Sequence, residues 1–431
     1  PNIYGGNENL EAVEFLKHLN SVFKGRKDGA VLIAEESTAW PKVTGNVKED
    51  GLGFDYKWNM GWMNDFLGYM KCDPYFRCHH YGELTFSMIY AYSEDFILVF
   101  SHDEVVHGKG SMVNKMPGET FEAKFANLRA AYGFMTGHPG KKLLFMGQEF
   151  GQMDEWNENK SLEWELLEYP IHKNMQSYVK ALNFLYREHP ALYEEDYMPD
   201  GFEWINCMDS ANNIAAFLRK TDKPEETLLF VCNFAPVEHE KYKVGVPFPG
   251  KYKEIFNSES KSFGGCGIVN PRVKSSKAEE CDGREESITV HIAPLGISVF
   301  SCTPVKRVKK TARTAGKTAK SKAAGTGRAS AAGRSSGAAG GRRKASVQEK
   351  APEGNVIAFK ADKSLYGTLA DLREDDEAKE ALKQAMDGQK KERDESQRKT
   401  AQESREKENK NPVVTVIKGA QKALQTGRRS K

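Results

Sequence analysis

Two stretches of the chain carry residues suited to acid–base work. Val31-Leu-Ile-Ala-Glu-Glu-Ser-Thr38 runs from apolar residues straight into Glu35 and Glu36. Phe96-Ile-Leu-Val-Phe-Ser-His-Asp-Glu104 runs the same way into His102 and Asp103. A carboxyl held in a partly apolar site has a raised pKa and can serve as a general acid. Neighbouring side chains on a strand point to opposite faces, so only one of Glu35 and Glu36 can enter a given site. A His beside an Asp can hold a polar substrate through its hydroxyls. The Asp can also support positive charge in an oxocarbenium-like transition state. Each stretch also has a plain structural reading. The first is a solvated strand end with a capping acid, the second a His–Asp pair that orders a loop. Trp40, Tyr56, Trp58, Trp62, Tyr69, Trp156 and Trp164 lie around these places. Any one of them fits core packing. Interleaved as a group with acids at strand ends, they fit platforms for sugar rings.

The elements that must position these groups alternate. Leu10, Val13, Leu16, Leu19 and Phe23 share one face of a helix over residues 9–23, closed by Gly25 and Gly29. Ala30 to Ala34 reads as a short strand buried on both faces. Further strands are expected at 54–58, 96–100 and 142–146, with an amphipathic helix over 121–135 and another over 174–188. Strand–helix alternation implies βαβ units and a parallel sheet. Three of these four strands end in polar or acidic residues, as in a (β/α) barrel, whose catalytic groups sit at the C-terminal strand ends. Four strands are half of the eight such a barrel needs.

From Gly201 the texture changes to short strand candidates separated by turn residues, such as Ile214–Arg219 and Thr227–Asn233. These predict an antiparallel sandwich. The chain therefore divides into an α/β segment over 1–198, an all-β domain over 199–302, and a basic, low-complexity tail over 303–431 with a marginal helix near 365–395. The tail is expected to be disordered, because Lys, Arg, Ala, Gly and Ser cannot bury a core. Its flexible positive charge allows contacts with phosphates, but no aromatics are interleaved and no nucleic-acid recognition fold is visible.

Composition bounds the class. The net charge is only +3, so no extreme balance dictates a partner. The seven Cys form no CxxC pair, and the spacing of Cys72, Cys78, His79 and His80 fits no zinc pattern. Reduced thiols in a cytoplasmic protein are the expectation, with no metal held by these residues. No long uncharged apolar run suggests a membrane span. The chain opens on Pro1, which reads as a processed product or a fragment.

Six stretches together resemble a known family. YGGNENLEAVEFL (4–16), VLIAEESTAWPKVT (31–44), GLGFDYKWNMGWMNDFLGYM (51–70), FSHDEVVHGKGSMVNKMPG (100–118), the 125–157 stretch containing GHPGKKLLFMGQEF, and GFEW (201–204) resemble the bacterial 1,4-α-glucan branching enzymes of the α-amylase superfamily. They run in family order over residues 1 to about 302. The resemblance implies the C-terminal half of a (β/α)8 barrel, strands five to eight, followed by an all-β domain. It implies an α-1,4-glucan substrate such as glycogen or amylose, retaining chain transfer to a 6-hydroxyl, and no cofactor. It assigns Glu35 as acid/base, Asp103 as transition-state stabiliser and His102 as a sugar contact, with Glu36, Trp40, Trp58 and Trp62 expected to bind substrate. It places the nucleophilic Asp in an RVDA-type motif ahead of the YGG segment, and these residues hold no such motif. Asn7 stands where the family pattern has Arg. The expectation is an N-terminally truncated branching enzyme, inactive alone. The alternative is a non-catalytic fragment that binds α-glucan.

Overall fold

The structure, a computed structural model, describes residues 1–306. The expectations for the basic tail and the helix near 365–395 fall outside these residues. Four parallel strands form one sheet in the order β1 (Ile33–Ala34), β2 (Tyr56–Trp58), β3 (Phe96–Phe100) and β4 (Lys141–Leu144). Helices α1 (Leu10–Arg26), α2 (Met60–Lys71), α3 (Tyr81–Thr85), α4 (Met112–Lys115), α5 (Phe121–Gly137) and α6 (Pro170–Glu188) lie between and after them. Side-chain caps fix several starts. Asn9 accepts from the Ala12 N–H, Asn59 from Trp62 and Thr120 from Ala123. Helix α1 ends at Lys27 in the left-handed region, so Gly25 lies inside the helix rather than closing it.

The second region is all β. Strands β5 (Phe202–Asp209), β6 (Ile214–Arg219), β7 (Leu228–Asn233), β9 (Gly250–Asn257), β10 (Lys274–Ser275) and β12 (Ile297–Pro304) make a six-stranded sheet ordered β10-β9-β12-β7-β6-β5. Strands β8 (His239–Val246) and β11 (Glu286–Ile292) pair antiparallel as a second sheet. Strand β12 runs two residues past Cys302.

Two cores meet at the six-stranded sheet. Along β6, Ile214, Ala216 and Leu218 face Val244, Val246, Ile288 and Val290 of the small sheet. Ala215 and Phe217 face the other way, into a core shared with Leu128, Phe134 and Tyr178 of α5 and α6. Both faces are covered, which is why β6 and β7 read as unbroken apolar runs. Phe217 stacks on Phe230 with centroids 5.0 Å apart and meets Phe134 edge-on at 5.9 Å.

Three buried arginines tie the regions together. Arg77 donates to the carbonyls of Phe234 and Met70 and to Asn127 Oδ1, at 2.7–2.9 Å. Arg129 on α5 pairs with Glu259 at 2.6 Å. Arg219 on β6 donates to the Gly201 and Gly137 carbonyls and to Asp196 Oδ1. Burial alone would raise the Asp196 carboxyl, but the charges of Lys142, Arg219 and Lys141 outweigh it and hold it at about 2.

Two expectations of burial change. The Ala30–Ala34 run is not buried on both faces: only Ile33 and Ala34 ladder, and Val31 and Ile33 are 55% and 43% exposed. β1 is a terminal strand of its sheet, so nothing pairs with its outer side among the described residues. β4 is terminal too, and Leu143 and Met146 beside it are likewise exposed. Helix α5 is not amphipathic, since nearly everything from Phe125 to Gly137 is buried. It lies between the parallel sheet and the β domain, so it needs no polar face.

Candidate active site

Strand β1 stops at Ala34, and Glu35 and Glu36 then separate as strand alternation requires. Glu36 turns to Lys57, whose Nζ donates to Glu36 Oε2 at 2.7 Å and to the Thr38 carbonyl at 3.2 Å. The Thr38 N–H donates to Glu36 Oε1. Partial burial pushes the Glu36 carboxyl up, but the hydrogen bonds from Lys57 and Thr38 prevail and lower it. Glu35 instead meets the end of β3. Ligand atoms of Glu35, His102 and Asp103 all lie within 4.8 Å of one another. Glu35 is exposed, not set in the partly apolar surroundings expected of it.

The buried strand β3 delivers the other two groups. Its last residue, Phe100, is followed by Ser101, whose Oγ accepts from the Asp103 N–H and caps the turn carrying His102 and Asp103. His102 Nε2 lies 3.2 Å from Asp103 Oδ1. Trp58, Phe145 and Trp156 surround the His102 ring, with centroids 6.3, 5.8 and 6.5 Å away. This arrangement can donate a proton from one carboxyl, stabilise positive charge with a second and hold hydroxyls with an imidazole. Among the described residues, these three are also the one His/Cys/Asp/Glu group close enough to ligate a metal ion.

Two positioning groups escaped the sequence reading. Buried Gln148 donates to the Phe100 carbonyl and accepts from the Phe145 N–H, joining the ends of β3 and β4. Glu155 accepts from the Gly108 and Gly110 N–H groups, and these bonds lower its carboxyl. That holds a loop in which His107, Gly108 and Gly110 all have positive φ, a conformation natural for the two glycines. The next residue, Trp156, donates its N–H to the Val105 carbonyl. The signal was present as polar residues following β4, but nothing in their spacing pairs Glu155 with a loop so far back in the chain.

The expected aromatics divide. Trp58 borders the cluster, and Trp40 with Trp58 lines a cavity of about 630 Å³ beside Glu36 and Lys57. Trp62 is a correction: it is 1% exposed, 5.2 Å from Phe66 and 5.3 Å from Phe100 between ring centroids, and it belongs to the core. It follows the Asn59 cap, and α2 turns it inward onto β3. Tyr69 is buried in the same core. All seven cysteines are free thiols. No helix among the described residues is long and apolar enough to cross a membrane.

Residues 204–303 match the family model described as the α-amylase C-terminal all-β domain. The chain is 51% identical over 299 residues to the 1,4-alpha-glucan branching enzyme GlgB of Oceanobacillus iheyensis, covering 69% of this chain and 47% of that protein. It is 49% identical over 300 residues to GlgB of Shewanella frigidimarina (70% and 40%) and 51% over 302 residues to GlgB of Clostridium perfringens (70% and 46%). The chain thus spans less than half the length of these curated relatives, and its matched residues fit their C-terminal part.

Proposed function

We propose that this chain is the C-terminal part of a 1,4-α-glucan branching enzyme, a transferase that forms α-1,6 branches on α-1,4-glucans such as glycogen or amylose. The close approach of Glu35, His102 and Asp103 at two strand ends carries the reading. In the proposed reaction Glu35 protonates the glycosidic oxygen as the α-1,4 link breaks, and the anomeric carbon bonds to a nucleophilic carboxylate. Asp103 steadies the oxocarbenium-like transition state and His102 holds sugar hydroxyls. Glu35 then takes the proton of an acceptor 6-hydroxyl as that oxygen displaces the carboxylate, so configuration is retained. The parallel strands are read as strands five to eight of a (β/α)8 barrel. We place the protein in the cytoplasm, in keeping with its free thiols.

The nucleophile is the group this reading takes from outside the chain, whose 431 residues hold no RVDA-type motif. We therefore expect the chain alone to bind glucan without turning it over. The same observation favours the second reading, a non-catalytic glucan-binding chain. A chimera separates the two. Joined to the unmatched portion of the Oceanobacillus relative, this chain is expected to branch amylose, read as a shift in iodine staining. Glu35→Gln should then lower the rate about 10²–10⁴-fold, the usual worth of a positioned proton donor, and Asp103→Asn about 10²–10³-fold, the usual worth of one group aimed at transition-state charge. A folded chimera that forms no α-1,6 links would overturn the transferase reading.

A further inference from the structure

We propose that Glu35, His102 and Asp103 form a binding site for one divalent transition-metal ion of the zinc class. The transfer reading gives these groups to proton transfer and charge stabilisation. Metal binding is a separate property of the same three side chains, and it does not depend on that reading.

The ligand atoms are already gathered. One from each residue lies within 4.8 Å of the other two. His102 Nε2 and Asp103 Oδ1 are 3.2 Å apart. Two ligands bound to a tetrahedral zinc at ~2.0–2.2 Å stand roughly 3.3 Å from each other, so this pair spans one edge of the tetrahedron as it stands. Glu35 has to close the rest. Its side chain is exposed, and it follows the two-residue strand β1, so little packing opposes a small approach. The imidazole is turned the right way. Its Nδ1 lies 3.4 Å from Ser101 Oγ. A ring that keeps its proton on Nδ1, donating to Ser101, presents the Nε2 lone pair to the carboxylates.

Charge favours a cation at this place. Among the described residues neither Glu35 nor Asp103 pairs with a Lys or Arg, whereas the adjacent Glu36 and Glu104 are taken by Lys57 and Lys109. Two carboxylates left facing one another repel, and a shared divalent ion removes that repulsion. The imidazole selects the metal. Ca²⁺ and Mg²⁺ prefer shells of six or more oxygens, while an imidazole with carboxylates suits Zn²⁺ and ions like it. Three protein ligands leave the fourth position to water, the open kind of site. All ten His and seven Cys lie within the described residues, and none of them joins another group of three that could ligate. An ion held here also silences the acid: with its lone pair on a metal, Glu35 can neither give nor take a proton.

Titrating the full chain with Co²⁺ tests this, because cobalt replaces zinc and its visible absorption reports the ligands. One equivalent should raise the bands of a nitrogen–oxygen site, and Zn²⁺ should abolish them by displacement. Near-isosteric Glu35→Gln, Asp103→Asn and His102→Gln should each weaken binding at least about tenfold, a loss that even an outer-shell partner causes, with the melting temperature unchanged. A wild-type chain that raises no bands overturns the proposal. So do bands that survive all three substitutions, bands with the intense sulfur-to-cobalt charge transfer of a cysteine site, or displacement of the cobalt by an equal concentration of Ca²⁺. None of these results touches the transferase reading, which the chimera tests.

Discussion

The parallel sheet is held very differently at its centre and at its β1 rim. Behind β3, helix α5 is buried along most of its length and bonded to the β domain through Arg129 and Arg219. Beside β1, helix α1 has one fully buried residue, Asn20, while Phe15, Val22, Val31 and Ile33 meet solvent. Both regions carry apolar runs of similar strength in the sequence. The difference lies in the neighbours: α5 has a sheet on each side and α1 has one. The two halves of the Glu35–His102–Asp103 cluster inherit this contrast, with His102 and Asp103 just past the end of the anchored strand and Glu35 just past the end of the loose one.

Breaking the anchor should give the largest effect. Arg219→Met takes from buried Asp196 its fully buried ion-pair partner, and loss of one member of a buried pair costs about 3–5 kcal/mol. A urea midpoint equal to wild type would show that the ties between regions carry no stability. Next comes truncation in matched positions. Leu128→Ala in α5 removes a side chain with no exposed surface and should cost about 2–5 kcal/mol. Leu19→Ala in half-buried α1 should cost less than half as much. Equal losses would erase the contrast.

A pH series sharpens it further. Burial depresses His138 at the end of α5 to about 3, with Pro139 and Ser87 as its ring partners. A group with a lowered folded pKa gives stability that is complete above its unfolded value and lost as pH falls through the folded one. For His138 that window runs from about 6.5 down to about 3. Asp196 adds to the loss from about 3.8 toward 2. The urea midpoint should fall steadily across this range, and hydrogen exchange should quicken in α5. A flat midpoint between pH 6.5 and 3 would contradict the buried neutral imidazole. The smallest effect is expected at the rim, where Ile33→Thr should change stability by no more than about 0.5 kcal/mol.

Much of this was legible beforehand. Strands β3, β6 and β7 follow from apolar runs bounded by turn residues, and apolar periodicity places α1, α5 and α6, whereas α2 and the Asn and Thr caps emerged only in the structure. Glu35, His102 and Asp103 could be picked out because each follows such a run. Trp62 could not be separated from Trp58 in the same way, because both are aromatics near the start of one helix. Only α2's rotation sends one into the core and leaves the other beside His102.

The sequence by itself determined which segments become strands and helices, where acids emerge from them and which family the first three hundred residues resemble. Periodicity and capping are properties of one segment and can be read from it. The tertiary structure alone decided that Glu35 meets His102 and Asp103 while Glu36 turns to Lys57, that Glu155 holds a loop from the preceding strand's end, and that Val31 and Ile33 stay in solvent. An apolar run states what a segment needs covered, and the arrangement of its neighbours settles whether anything covers it.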